Sequence, residues 1–150
     1  MPGKKPTVAD AQLILQLYDL RREAEMRKAR DWCTLLFLPS SRDEVMKLAF
    51  AMDTVENRYL RQVVTYYEML ASFVNRGILH RDLVEDSVGE HINLYAKLKP
   101  YLKDLREAAG VPQFMQHIEK LIEGSPNGRR RLAMVQKRIA EVTAAKKAGT

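Results

Sequence analysis

The sequence predicts an all-α protein, a single-domain bundle of six or seven helices with corners punctuated by proline and glycine. Three observations carry that prediction. Apolar residues recur at steps of three and four, as at Leu13, Leu17, Leu20 and Ala24, which places them on one helix face. Capping and stop signals separate the runs: Ser41 stands ahead of Glu44, and Gly77, Gly89, Pro100 and Gly124 follow in turn. No stretch shows the strict apolar–polar alternation of a half-buried strand, and no internal repeat is visible. A chain of 150 residues fits one domain and is long enough to bury a core without metal or disulfide support. Its apolar share of 46% and charged share of 29% are those of a folded globular protein.

Residues 1–7 read as a disordered N-terminus. Thr7 can cap a helix from Val8, with Asp10 in the favourable first turn. The stretch "RREAEMRKARD" is strongly charged. It is either a solvated face of one long helix or the place where that helix bends, and Glu23–Arg27 and Arg27–Asp31 have ion-pair spacing. Pro39 ends the element. Ser41 and Glu44 form a capping-box pattern that opens a second helix with Val45, Leu48, Ala49 and Met52 inward. The third run, 54–76, repeats Leu60, Val63, Val64, Tyr67, Leu70 and Val74, and stops at Gly77, where glycine tolerates a positive φ. A short helix over 81–88 ends at Gly89. The next, 90–108, contains Pro100, which must kink or split it near Lys99. Val111-Pro112 starts another helix that closes at Gly124, "GSPNG" reads as a linker, and a basic helix occupies 129–145. The organisation is therefore a bundle over 8–124, a linker at 125–128, and a basic amphipathic C-terminal helix and tail over 129–150.

The net charge of +6 is unevenly placed. Residues 129–150 hold seven basic groups against Glu141 alone, while the preceding 128 residues carry 18 of each sign. The N-terminus has two lysines but no apolar core of a signal peptide. The longest nearly apolar run, "WCTLLFL" at 32–38, is far short of the roughly 20 residues of a membrane helix. The single cysteine, Cys33, excludes an intramolecular disulfide. A cytoplasmic protein is the expectation.

The stretch "NRGILHRDLVED" at 75–86 looks most like a motif, and it is weighed as a chemical site, a DNA-reading helix-turn-helix and a plain helix corner. There is no Glu-x-x-His or His-Glu-x-x-His. His80, His91 and His117 fall on three different helices and read as surface or cap residues. No metal or cofactor is expected. Ser40, Ser41, Ser72, Ser87 and Ser125 have no nucleophile-elbow context. Cys33, in its apolar run, would be buried with its pKa raised, the opposite of activation. Phosphate-loop patterns are absent. Asp82, Glu85 and Asp86 share a helix face, and a solvated first turn explains them. A recognition helix should be basic, yet "HRDLVEDSV" has one arginine and three acids. The stretch reads as a corner held by Leu79, Leu83 and Val84. Tyr66, Tyr67 and Glu68 with Arg58, Arg61 and Arg76 read first as a half-buried packing face. A pocket among Arg61, Tyr67, Glu68 and His91 is the candidate small-ligand or catalytic site.

The stretch "LRREAEMRKARDW" followed by "VVTYYEMLASFVNRGILHRDLVEDSVGEHINLYAKLKPYLKDLREAAGVPQFMQHIEKL" resembles a bacterial family of short all-helical proteins, a domain of unknown function. The resemblance rests on an ordered series of positions: Tyr67-Glu68, the turn around Gly77, Gly89, Tyr95, Leu98, Pro100 and Leu105-Arg106. It spans roughly residues 15–122. It implies the helical fold and assigns no activity or site residue, and the basic segment after Gly124 lies outside it.

The leading expectation is a non-enzymatic interaction, scaffold or regulatory module, homodimeric through the 8–38 or 54–76 regions and meeting an unidentified protein partner. The alternative is binding of nucleic acid or an anionic membrane surface through Arg129, Arg130, Arg131, Lys137 and Arg138. In that terminal segment Leu132, Val135, Ile139 and Val142 form one narrow stripe, which either docks on the bundle or leaves the cations to grip phosphate. An enzyme or small-ligand binder is the third.

Overall fold

Thr7 opens the first helix as the sequence predicts, and it does so reciprocally. In a computed structural model that describes residues 3–149, the Asp10 amide donates to Thr7 Oγ1 while the Thr7 amide donates to Asp10 Oδ2 at 2.8 Å. Helix α1 (Val8–Leu20) ends where the charged stretch begins, and the long-helix alternative gives way to a break. The cause is Glu23, whose carboxylate accepts from the Glu25 and Met26 amides and caps α2 (Ala24–Asp31). The expected pairs Glu23–Arg27 and Arg27–Asp31 do not form, the first because that carboxylate is already engaged. Arg27 reaches the Arg22 carbonyl, and the local ion pair is Lys28–Glu25 at 2.8 Å.

A π-helical turn follows at Trp32–Leu36, closed by the Phe37 amide on the Trp32 carbonyl at 2.9 Å. The Trp32 and Phe37 rings stack across it with centroids 5.0 Å apart. Ser41 caps α3 (Arg42–Phe50), but only half of the capping box exists, because Glu44 turns to the Ser40 amide and hydroxyl. Val45 is buried and Leu48 and Ala49 are half-buried; Met52, expected inward, lies past the helix end and is exposed. Helix α4 (Val55–Asn75) buries all six apolar residues predicted for it, and Gly77 takes a φ of +72° at its end. Buried Asn57 donates to the Leu48 and Ala49 carbonyls and so fixes the end of α3 against α4.

Helix α5 (Arg81–Ser87) is the predicted short element, with Leu79 and Val84 buried as corner residues. The 90–108 run divides at Pro100 into α6 (Glu90–Leu98), a 3-10 turn (Lys99–Tyr101) and α7 (Leu102–Ala109). Residues 112–115 are turns, so α8 (Gln116–Glu123) begins after Met115 and not at Val111-Pro112. Its start is set from outside: Glu68 on α4 accepts the His117 and Ile118 amides at 2.8 and 3.0 Å. Residues 125–128 are not a linker. Ser125 accepts the Gly128 amide as an N-cap, Pro126 takes the first helical position, and α9 runs Pro126–Ala148. Gly128 is buried, and a Cβ there would lie 2.0 Å from the Ile122 carbonyl oxygen. Of the stretch expected to be disordered, Lys4 is fixed by His80 Nε2 donating to its carbonyl; Met1, Pro2 and Thr150 lie outside the described residues.

If α6 and α7 count as one bent rod, eight helices stand among the described residues where six or seven were predicted, and the extra one comes from the break at 21–23. There is no strand among the described residues. Helix α4 runs through the centre between α2 and α8, and α9 lies across α6 and α8. Helix α6 is buried almost all round, from His91 to Leu98 with only Asn93 partly open, which makes it the second central element.

Candidate functional site

Glu90, at the start of α6, is the hub where four helices meet. Arg30 on α2 grips it with two bonds, Nε to Oε2 at 2.8 Å and Nη2 to Oε1 at 2.5 Å. Arg21, at the end of α1, reaches Oε1 at 3.2 Å, and the Tyr67 hydroxyl on α4 donates to Oε2 at 2.9 Å. Burial alone would raise the Glu90 pKa, but the bonds from Arg30 and Tyr67 and the two guanidinium charges outweigh it and hold the carboxylate below its ordinary range. Burial, reinforced by the Glu90 charge, pushes the Tyr67 phenol up. Tyr66 stands edge-on to Tyr67 and donates to the Leu17 carbonyl at 2.5 Å, a second tie to α1.

His91 adjoins this hub, its ring 5.9 Å from that of Tyr67. It is 3% exposed, which corrects the expectation of a surface or cap histidine. Burial first, and the nearby Arg131 charge second, push its pKa down to about 4, and its Nδ1 has no partner. His80 holds the N-cap position of α5, and His117 on α8 faces Asn75. No cluster of three or more metal-ligating side chains occurs among the described residues. Cys33 is buried and its thiol pushed up to about 12.

The four residues expected to share a pocket separate into three places. Tyr67 and His91 are neighbours in the core. Glu68, one residue on and so about 100° around the helix, caps α8. Arg61 donates to Asn57 Oδ1 at 2.7 Å and borders a mostly apolar cavity of ≈ 210 Å³ with Phe50, Leu60, Leu105 and Phe114. The site residues that sequence reasoning missed are Glu90, Arg30 and Lys97. Glu90 and Arg30 carry no local signal, being 60 residues apart. Lys97 did leave one: it sits in "INLYAKL" between Leu94, Tyr95 and Leu98, where a lysine interrupts a helix that is apolar on nearly every side.

Helix α9 docks its stripe on the bundle. Leu132 is buried, Val135 and Ile139 are half-buried, and Val142 is exposed at the far end. The cations divide. Arg131 reaches across to the Glu85 and Val88 carbonyls, Arg129 bonds the Glu123 carbonyl, and Arg130 bonds Asn127 Oδ1. Lys137 and Arg138 are exposed farther along the helix.

Helix α1 is apolar on two opposite sides. Leu17, Leu13 and Ile14 face inward. On the outer side Val8 is 74% exposed, Leu15 69% and Tyr18 46%, joined by Ala11 on the same strip.

No helix among the described residues is long and apolar enough to cross a membrane. Comparison with curated proteins and with solved structures gives no match. The family profile that does match covers residues 6–125 and ends one residue before α9 begins. That stretch contains the whole Glu90 hub, the Gly77 corner and the Pro100 bend. The chain therefore belongs to the family described as a domain of unknown function, DUF4760.

Proposed function

We propose that the protein is a helical interaction module, acting by binding and not by turnover, that pairs with a second copy of itself through the outer face of α1. The observation that carries this is the exposed strip of Val8, Leu15 and Tyr18 on a helix whose opposite face is already in the core. A strip without charge suits a second copy of the same strip. A two-fold axis through the middle of α1 brings the strip against its own copy. Val8, Ala11, Leu15 and Tyr18 are themselves uncharged, and the Arg21 guanidinium lies over the Tyr18 ring at one end of the strip. The polar groups at the centre are engaged with one another, since Glu90 accepts from Arg21, Arg30 and Tyr67 at once, which supports a structural use for them.

Light scattering across a concentration series tests the pairing. The expected particle has twice the 17.3 kDa of one chain. Leu15→Glu, at an exposed position, is expected to return it to a single chain with unchanged circular dichroism. A 17.3 kDa particle at the highest concentration, or a Leu15→Glu variant that still pairs, overturns the proposal.

A further inference from the structure

Where α9 crosses α6 beside the π-helical turn, a cleft of ≈ 290 Å³ remains. Three cations line it, Lys97, Arg138 and Lys146, and no carboxylate does. Lys97 is 6% exposed and donates to the Cys33 and Thr34 carbonyls at 2.7 and 3.1 Å. An ammonium has three N–H groups, so one is left over. Arg138 and Lys146 have no hydrogen-bond or ion-pair partner among the described residues. Burial, with the Lys146 charge adding, lowers the Lys97 pKa to about 8. Most of the rest of the wall is apolar, chiefly Phe37, Val135 and Ile139, with Thr34 and Asn93 as its polar members. Like charges gathered around a partly desolvated space repel, and an anion placed among them relieves that repulsion and gains charge-assisted hydrogen bonds.

We propose that this cleft binds a small amphiphile with one anionic head group, a carboxylate or a phosphate, held by Lys97, Arg138 and Lys146, with its apolar chain against Phe37, Val135 and Ile139. The size fits a small ligand. The volume lies at the low end of ligand pockets, roughly 300–1,000 Å³, and corresponds to about ten groups the size of a water molecule at ~30 Å³ each. An eight-carbon acid has that many non-hydrogen atoms. The guanidinium of Arg138 supplies the planar two-point grip that a carboxylate or phosphate accepts. One wall belongs to the residues matched by the family and the other to α9, which lies beyond them, so the site depends on both. It shares no residue with the α1 strip, and the two proposals stand or fall separately.

Titration calorimetry of the full chain with octanoate, octyl phosphate, octylamine and octanol tests it. One or both anions are expected to bind saturably at one per chain, the tighter one naming the head group, while the amine and the alcohol bind at least ten-fold more weakly. Raising the salt should weaken anion binding. Arg138→Gln combined with Lys146→Gln, both at exposed positions, should reduce affinity at least ten-fold without moving the melting temperature. Lys97→Met, which removes the buried cation, should weaken anion binding as well. The proposal is overturned if neither anion saturates, if octanol binds as tightly as octanoate, or if the double variant binds like the parent.

Discussion

Lowering the pH from 7 to 5 protonates histidines in the unfolded chain, while His91 in the folded protein resists, because burial and then the Arg131 charge push its pKa from 6.5 down to about 4. Between those two values the unfolded chain binds the extra proton and the folded chain does not. Stability therefore falls as pH drops through 6.5 toward 4, and this contribution levels off below 4. The full gap is worth about 3 kcal/mol, of which about 2 kcal/mol is lost by pH 5. For a domain of this size that is a fall in melting temperature of roughly 4–8 °C. Glu90 does not confuse the reading: its depressed carboxylate contributes stability that is present above the ordinary carboxylate pKa and lost only as pH falls through its lower folded value. The measurement is urea unfolding followed by circular dichroism at pH 7 and pH 5, for the parent and His91→Gln. The variant is expected to be weaker at pH 7, with its deficit shrinking by about 2 kcal/mol at pH 5. If the two proteins lose stability in parallel, His91 is not held neutral by the core and the reasoning fails.

Glu90→Gln removes the charge that Arg21, Arg30 and Tyr67 share and should cost about 3 kcal/mol, as breaking a largely buried ion pair does; a melting temperature within a degree or two of the parent would contradict the hub. Glu68→Ala leaves the His117 and Ile118 amides without their acceptor, so a loss of about 1–2 kcal/mol in denaturant unfolding is expected. Gly128→Ala pushes a methyl group against the Ile122 carbonyl and should destabilise by more than about 2 kcal/mol; a neutral result would mean that α9 is free to slide.

What was legible in the sequence is what neighbouring residues decide among themselves. Thr7 with Asp10, Gly77 and Pro100 act within one turn of chain, and each does in the structure what its chemistry implies. The stripe of α4 was legible for the same reason, since six apolar residues on one face leave no other way to bury them. Glu68 was visible but misassigned, because its partners are amides 49 and 50 residues away and an amide has no signature in the sequence. The Ser125-Pro126 pair did carry a helix-start signal, cap then proline, which the surrounding glycines masked. His91 looked like one polar residue among several, because the groups near it, Tyr67 on α4 and Arg131 on α9, lie far off in the sequence.

The π-helical turn at Trp32–Leu36 can be regarded as an α-helix carrying one residue too many, with the Phe37 amide reaching five residues back to Trp32. Deleting Leu35 would let the chain close with ordinary α-helical spacing and draw the Cys33 and Thr34 carbonyls into the helix ladder. Those carbonyls are the acceptors that keep the Lys97 ammonium inside the protein. The length of the chain at one place thus sets which charge is tolerable at another, 63 residues away. A relative with one residue fewer between the counterparts of Trp32 and Phe37 is expected to have an uncharged side chain where this protein has Lys97, and an insertion–deletion comparison across the family would reveal the two changes travelling together.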